Sequence, residues 1–172
     1  RIDQISLLDA ALRFNPDIIV VGEMRGAEAN AAQEAARTGV AVVTTIHSNS
    51  CEATYRRMVS LCKRAVDTPD QTLMDYVTEA YPIVVFCKQL ENKQRRMMEI
   101  QECEILPDGS RRFRPLFQYI ITENRMEDGK FIIEGHHEQV NAISDSLAKR
   151  LLENGMPRSL IGRLQGKEAA IA

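Results

Sequence analysis

The chain has 172 residues, 44% of them apolar and 27% charged, enough for one medium hydrophobic core or two small ones. A formal net charge of -2 gives no electrostatic reason to expect nucleic-acid binding, and the lack of Trp with few aromatics weakens the case for a stacking platform further. Cys51, Cys62, Cys87 and Cys103 lack close paired spacing, so neither a zinc site nor a disulfide framework is indicated and a reducing cytoplasm fits best; no apolar run approaches the roughly 20 residues of a membrane span and no stretch reads as a signal peptide, so any membrane contact is expected to be peripheral.

Arg1 opens the sequence without an initiator Met, and residues 5 to 14 already show helical spacing through Ile5, Leu8 and Leu12, so further chain is expected upstream. Asp17-Ile18-Ile19-Val20-Val21, short and β-branched between Pro16 and Gly22, predicts a strand buried on both faces. It runs into Gly22-Glu23-Met24-Arg25-Gly26-Ala27-Glu28. Residues 27 to 38, rich in Ala, Gln and Glu, predict a helix stopped by Gly39. Val40 to Ile46 predicts a second buried strand, which runs into His47-Ser48-Asn49-Ser50.

The intervening helix is long enough for the right-handed crossover that a parallel strand pair requires. Glu23 and His47 are therefore expected at neighbouring carboxyl ends, in the crevice where open α/β sheets bind ligands. A carboxylate there can orient and polarise the water that attacks a terminal phosphate and bear on a magnesium ion through water, while an imidazole can sense that phosphate. Each also has a structural alternative: Glu23 as half of an ion pair with Arg25, and His47 as a hydrogen-bonding residue at a strand end.

Ser50 is expected to cap a helix running to Arg64, with Arg56 and Arg57 on a solvated basic face. Residues 70 to 80 predict another helix, and Pro82 to Cys87 a further core strand. From about Lys88 the pattern alternates: Arg95 to Leu106, Arg111 to Glu123 and Lys130 to Glu134 predict antiparallel strands joined at Pro107-Asp108-Gly109-Ser110 and Glu127-Asp128-Gly129. His136-His137 is expected in a turn and not in a metal site, because adjacent residues point in different directions. Ser144 to Asn154 predicts an amphipathic helix ending at Gly155, Pro157 opens a short helix around Ser159 to Leu164, and little fixes 167–172.

No Gly-x-x-x-x-Gly-Lys-Ser/Thr loop occurs in the sequence, so the main grip on a nucleotide is expected to lie upstream. Leu7 through Ala29 resembles the Walker B segment of the type II/IV secretion traffic ATPases, and Ala36-Arg37-Thr38-Gly39 through Ser50 resembles their histidine box. Gly26 and Thr44-Thr45-Ile46-His47 look most like the Flp/Tad pilus, CpaF-type branch. The strong match covers roughly residues 1 to 60; Leu116-Phe117 and Gly129-Lys130-Phe131 carry a weaker one.

The resemblance implies an α/β fold: a partial RecA-like P-loop NTPase sheet (1–90), a small antiparallel β appendage with C-terminal helices (91–166), and a flexible tail (167–172). It implies the C-terminal portion of a hexameric motor that uses ATP and Mg2+ to drive secretion, pilus assembly or conjugative transfer. Such a motor works at the cytoplasmic face of the inner membrane with secretion or pilus assembly proteins there, and no direct nucleic-acid contact is expected. By position, Glu23 matches the family's catalytic glutamate and His47 the box histidine near the terminal phosphate. Arg25, Glu28 and Asn49 fall among nucleotide-binding positions, with a helix-dipole acid as the alternative for Glu28.

The sequence departs from the family at Val40, where many relatives carry a further histidine, and in lacking the phosphate loop, acidic box and N-terminal domain. The chain alone is expected to be inactive and to bind ATP weakly or not at all. A reading from another class is a nucleotide-independent α/β interaction domain whose β appendage binds partners. A phosphate loop encoded shortly before Arg1 would favour the motor.

Overall fold

The computed structural model describes residues 3–167, and the chain divides into two units, one ending at Pro82 and the other beginning at Ile83. In the first unit, α1 (Gln4–Leu12) is capped by Asp3, whose carboxylate accepts the Ser6 N–H. There follow β1 (Ile18–Val21), α2 (Glu28–Arg37), β2 (Ala41–Thr44), α3 (Cys51–Cys62) and α4 (Asp70–Ala80). β1 and β2 pair in parallel, from Ile18 opposite Ala41 to Val21 opposite Thr44, with α2 as the crossover. Gly39, at φ 106°, turns the chain out of α2 in a conformation that a side chain would resist. Ser50 caps α3 as expected, accepting the Ala53 N–H at 3.1 Å.

The core of this unit is helical. Ala29, Ala32 and Ala35 of α2 are buried with Tyr55, Met58 and Leu61 of α3 and Leu73 and Val77 of α4. Small side chains on α2 let both neighbouring helices approach it closely. Tyr55 reaches out of α3 to donate its hydroxyl to the Tyr81 carbonyl at 2.6 Å, tying α3 to the end of α4.

The expectation of two buried strands fails here, since no residue of β2 is buried. β1 is not buried on both faces: Ile19 and Val21 are covered, whereas Ile18 and Val20 are 59% and 71% exposed, and Val43 opposite Val20 is 57% exposed. A β-branched run marks a strand but does not record what lies on each side of it; within this unit the helices cover a single face.

The second unit is an antiparallel sheet in the order β3-β4-β5-β6, built from β3 (Ile83–Gln89), β4 (Arg95–Ile105), β5 (Arg111–Glu127) and β6 (Lys130–Gln139), followed by α5 (Asp145–Glu153) and α6 (Arg158–Leu164). The strand expected over Pro82–Cys87 forms as β3, but it pairs antiparallel with β4, Ile83 opposite Glu102, and not with the parallel pair. An apolar strand does not encode its partner; here a short turn at Glu91–Gln94 makes β4 the nearest edge.

β5 and β6 run longer than the alternation suggests, to Glu127 and Gln139. His136 and His137 consequently lie in β6 and not in a turn, opposite Ile120 and Tyr119. The ladder with β5 overrides their weak local preference. His137 Nε2 lies 3.0 Å from the Met97 carbonyl, and its ring centroid lies 5.0 Å from that of Tyr119. Asp128 and Gly129 close the β5–β6 hairpin with φ 47° and 73°, the paired positive values that a two-residue turn of this hand needs.

Leu116, Ile143, Leu147, Ala148 and Ile161 form the buried cluster that seats α5 and α6 on the sheet. Burying each large aliphatic side chain contributes roughly 1.5–3 kcal/mol. Ser144 caps α5 by accepting the Leu147 N–H at 3.0 Å and gives its own hydroxyl to Glu102. Glu102, 2% exposed on β4, also accepts the Ser144 N–H at 3.0 Å, so the buried carboxylate is satisfied by the first residue of the helical segment. Among the described residues no helix is long and apolar enough to cross a membrane. The terminal stretch 167–172 lies, beyond Lys167, outside the described residues.

Candidate functional site

The parallel register that ends with Val21 opposite Thr44 continues past both strands as a hydrogen-bonded pair of loops. The Met24 N–H donates to the Thr45 carbonyl at 2.9 Å, and Thr45 Oγ1 donates to the Gly22 carbonyl at 2.6 Å. Gln4 Nε2 reaches the Glu23 carbonyl from α1 at 3.4 Å. These bonds place Glu23 and His47 side by side: His47 Nε2 lies 3.1 Å from Glu23 Oε1.

The other carboxylate oxygen of Glu23 is taken by Arg25, whose Nη2 donates to Oε2 at 2.5 Å. That guanidinium holds the Glu23 carboxyl below its ordinary value of 4.5, against a smaller opposing effect of desolvation, so Glu23 is ionised at neutral pH. Oε1 is shielded from solvent and has no hydrogen bond of good geometry, leaving it as the acceptor facing His47. The His47 side chain is 90% exposed. An ionised carboxylate beside an accessible imidazole can accept a proton or a hydrogen bond from water on one side and present an N–H to an anion on the other.

Glu28 stands in the first turn of α2, and its Oε1 accepts two backbone N–H groups, from Arg25 at 2.6 Å and Gly26 at 2.8 Å. Burial is the largest influence on this carboxyl and pushes it up, but the N–H donors together with the Arg64 charge leave it below 4.5. The carboxylate lies over Gly26 so closely that a Cβ there would stand 2.8 Å from Oε2. Asn49 is exposed in the turn leading to the Ser50 cap, and no hydrogen bond ties it to the others among the described residues.

The structure thus brings Glu23, Arg25 and His47 together and joins Glu28 to them through the Arg25 amide. Thr45, Gln4 and Arg64 also hold this loop, the last by donating Nη1 to the Arg25 carbonyl at 2.8 Å. Sequence reasoning gave none of them a role. Arg64 lies 39 residues from Arg25, and no local pattern links the two.

As a fit for nucleotide, the set suits the reacting end. It offers one ionised carboxylate, with one oxygen that is desolvated and without a hydrogen bond, beside one exposed imidazole. The Glu23 carboxylate is the group of this set that would face a magnesium ion through water.

The family model for the type II/IV secretion system protein matches residues 1–169. The chain is similar to the conjugal transfer protein TrbB of Rhizobium radiobacter, 34% identical over 104 residues, which are 60% of this chain and 31% of that protein. It is also similar to the type IV pilus assembly ATPase PilB of Pseudomonas aeruginosa, 46% identical over 55 residues, 31% of this chain and 10% of that one. The chain thus spans less than a third of the length of either relative. In structure it is similar to the VirB11 ATPase of the Brucella suis type IV secretion system, with a TM-score of 0.54 at 24% identity over 59% of this chain and 32% of that one, a likeness of fold. With the family model matching nearly its whole length, the chain belongs to the type II/IV secretion system protein family.

Proposed function

We propose that this chain is the C-terminal portion of a hexameric ATPase of the Flp/Tad pilus, CpaF-type, branch, which couples ATP hydrolysis to pilus assembly, secretion or conjugative transfer. Its place is the cytoplasmic face of the inner membrane, beside membrane-embedded secretion or assembly proteins. In this reading the hydrolytic chemistry lies before residue 90, in part of a RecA-like core, and 91–166 form the appendage through which domain movement is passed on. The observation that supports it most is the meeting of Glu23 and His47, from adjacent parallel strand ends, at 3.1 Å.

Bound ATP with Mg2+ would supply the phosphoryl group for transfer to water and the cation that neutralises its charge. The Glu23 carboxylate accepts a hydrogen bond from the attacking water and orients it. Arg25 holds the Glu23 carboxylate through the 2.5 Å contact on Oε2. His47 donates its ring N–H toward the terminal phosphate. Arg25 and Asn49 supply further polar contacts to the nucleotide, and Glu28 takes part through the loop amides it holds.

The test is Glu23→Gln in the full-length protein. ATP affinity should stay within a few fold while turnover falls by roughly 10²-fold or more, the range for loss of a general base. Hydrolysis near the wild-type rate would reduce Glu23 to a structural ion-pair partner of Arg25.

A further inference from the structure

Arg25 is the residue that aims Glu23, and both peptide groups flanking its Cα are pinned. Its N–H is held by Glu28 Oε1 at 2.6 Å, from within the same motif. Its carbonyl is held by Arg64 Nη1 at 2.8 Å, from outside it. With amide and carbonyl both fixed, little freedom remains in the Arg25 backbone, from which the side chain, 75% exposed, reaches Glu23 Oε2 at 2.5 Å.

The position of Arg64 is itself well defined. It sits in the turn that ends α3, where its N–H closes on the Leu61 carbonyl at 3.0 Å and the next N–H, of Ala65, closes on that of Cys62 at 2.9 Å. α3 begins at Cys51, just after the His47 segment, so one helix runs from the strand end bearing His47 to the contact that holds the Arg25 peptide. Arg64 also faces the Glu28 carboxylate electrostatically, so its charge serves the second clamp as well as the first. A guanidinium suits this double duty, because its fork presents several donors at fixed angles where an ammonium offers a compact charge.

We propose that Arg64 is a positioning residue for hydrolysis: from the end of α3 it fixes the Arg25 peptide, and through Arg25 the orientation of the Glu23 carboxylate beside His47. The inference rests on the reading of Glu23 as the residue that orients water.

The experiment measures kcat and KM for ATP in the full-length protein carrying Arg64→Ala, Arg64→Lys, Glu23→Gln, and Glu23→Gln with Arg64→Ala. Arg64→Ala should lower kcat by roughly 3- to 30-fold, as expected for a small misplacement of a catalytic group. KM should change less than kcat, because Arg64 itself touches no substrate and only the Arg25 contact to the nucleotide is disturbed. Arg64→Lys should recover only part of the loss, because an ammonium keeps the charge but not the fork. In the Glu23→Gln background, Arg64→Ala should lower kcat no further, since both changes act through one carboxylate. A wild-type kcat in Arg64→Ala, a raised KM at unchanged kcat, or the same fold loss on top of Glu23→Gln would each overturn the proposal. Glu23→Gln alone reads the underlying function: full turnover there overturns that reading and this one with it, whereas impaired Glu23→Gln beside unimpaired Arg64→Ala overturns this one alone. Thermal melting checks folding; should Arg64→Ala not fold, Arg64→Gln takes its place with the same expected and overturning results.

Discussion

Replacing Glu28 by alanine removes the acceptor that folds the Glu23 loop back onto the start of α2. Two N–H groups, from Arg25 at 2.6 Å and Gly26 at 2.8 Å, lose their partner together. A hydrogen bond to a charged group contributes roughly 1.5–3 kcal/mol net. The two share one oxygen and are not additive, and water can reach the exposed Arg25 side of the loop, so the loss should be about 2 kcal/mol. For a unit the size of the one ending at Pro82 that lowers its Tm by about 8–16 °C. Glu28→Gln keeps an acceptor oxygen without the charge, and neutral bonds are about half as strong, so its Tm should fall by about half as much.

The pH dependence has a definite sign. The folded Glu28 carboxyl lies below its ordinary value of 4.5, so the charged form contributes stability above that value and the contribution is lost as pH falls through the lowered folded one. The protonated acid still presents one acceptor, so on acidification the wild type should converge on Glu28→Gln, not on Glu28→Ala. Circular-dichroism melts of the three chains from neutral to acidic pH measure this. Coincident wild-type and Glu28→Ala melts at pH 7, or a gap between wild type and Glu28→Gln that persists under acid, would refute the reasoning.

His47→Ala in the full-length protein should reduce hydrolysis and leave ADP affinity nearly unchanged; because the side chain is 90% exposed, its removal should alter stability by no more than about 0.5 kcal/mol. A clear drop in Tm with equal losses for ATP and ADP would assign it to scaffolding instead. Gly135→Ala tests the second unit, since a Cβ there would stand 2.3 Å from the Ile120 carbonyl and 2.8 Å from Tyr119 Cζ. The ring can turn aside but the cross-strand carbonyl cannot, so a loss of about 1–3 kcal/mol is expected, and an unchanged melt would show that the β5–β6 ladder gives way easily.

Much of the local structure could be read from the chain because its causes are local. Proline and glycine bracket the first apolar run, Ser50 and Ser144 offer side-chain oxygens to helix N-termini, and Asp128-Gly129 supplies the two positive φ values of a hairpin. The adjacency of Glu23 and His47 was legible for the same reason: a helix too long for a hairpin forces a parallel crossover, and parallel strands end on the same side. What lay beyond the sequence depends on partners distant along the chain. The open face of Ile18, Val20 and Val43 follows from which helices pack where, which a β-branched run does not record. The pairing of β3 with β4 and the lengthening of β6 through His136 and His137 are outcomes of ladder energetics, where the neighbouring strand outweighs residue preference. The clamp on the Glu23 loop depends most on tertiary structure. Thr45 and Arg64 act on it across 23 and 39 residues, distances over which hydrogen-bonding capacity is written in the sequence but its recipient is chosen only when the helices dock.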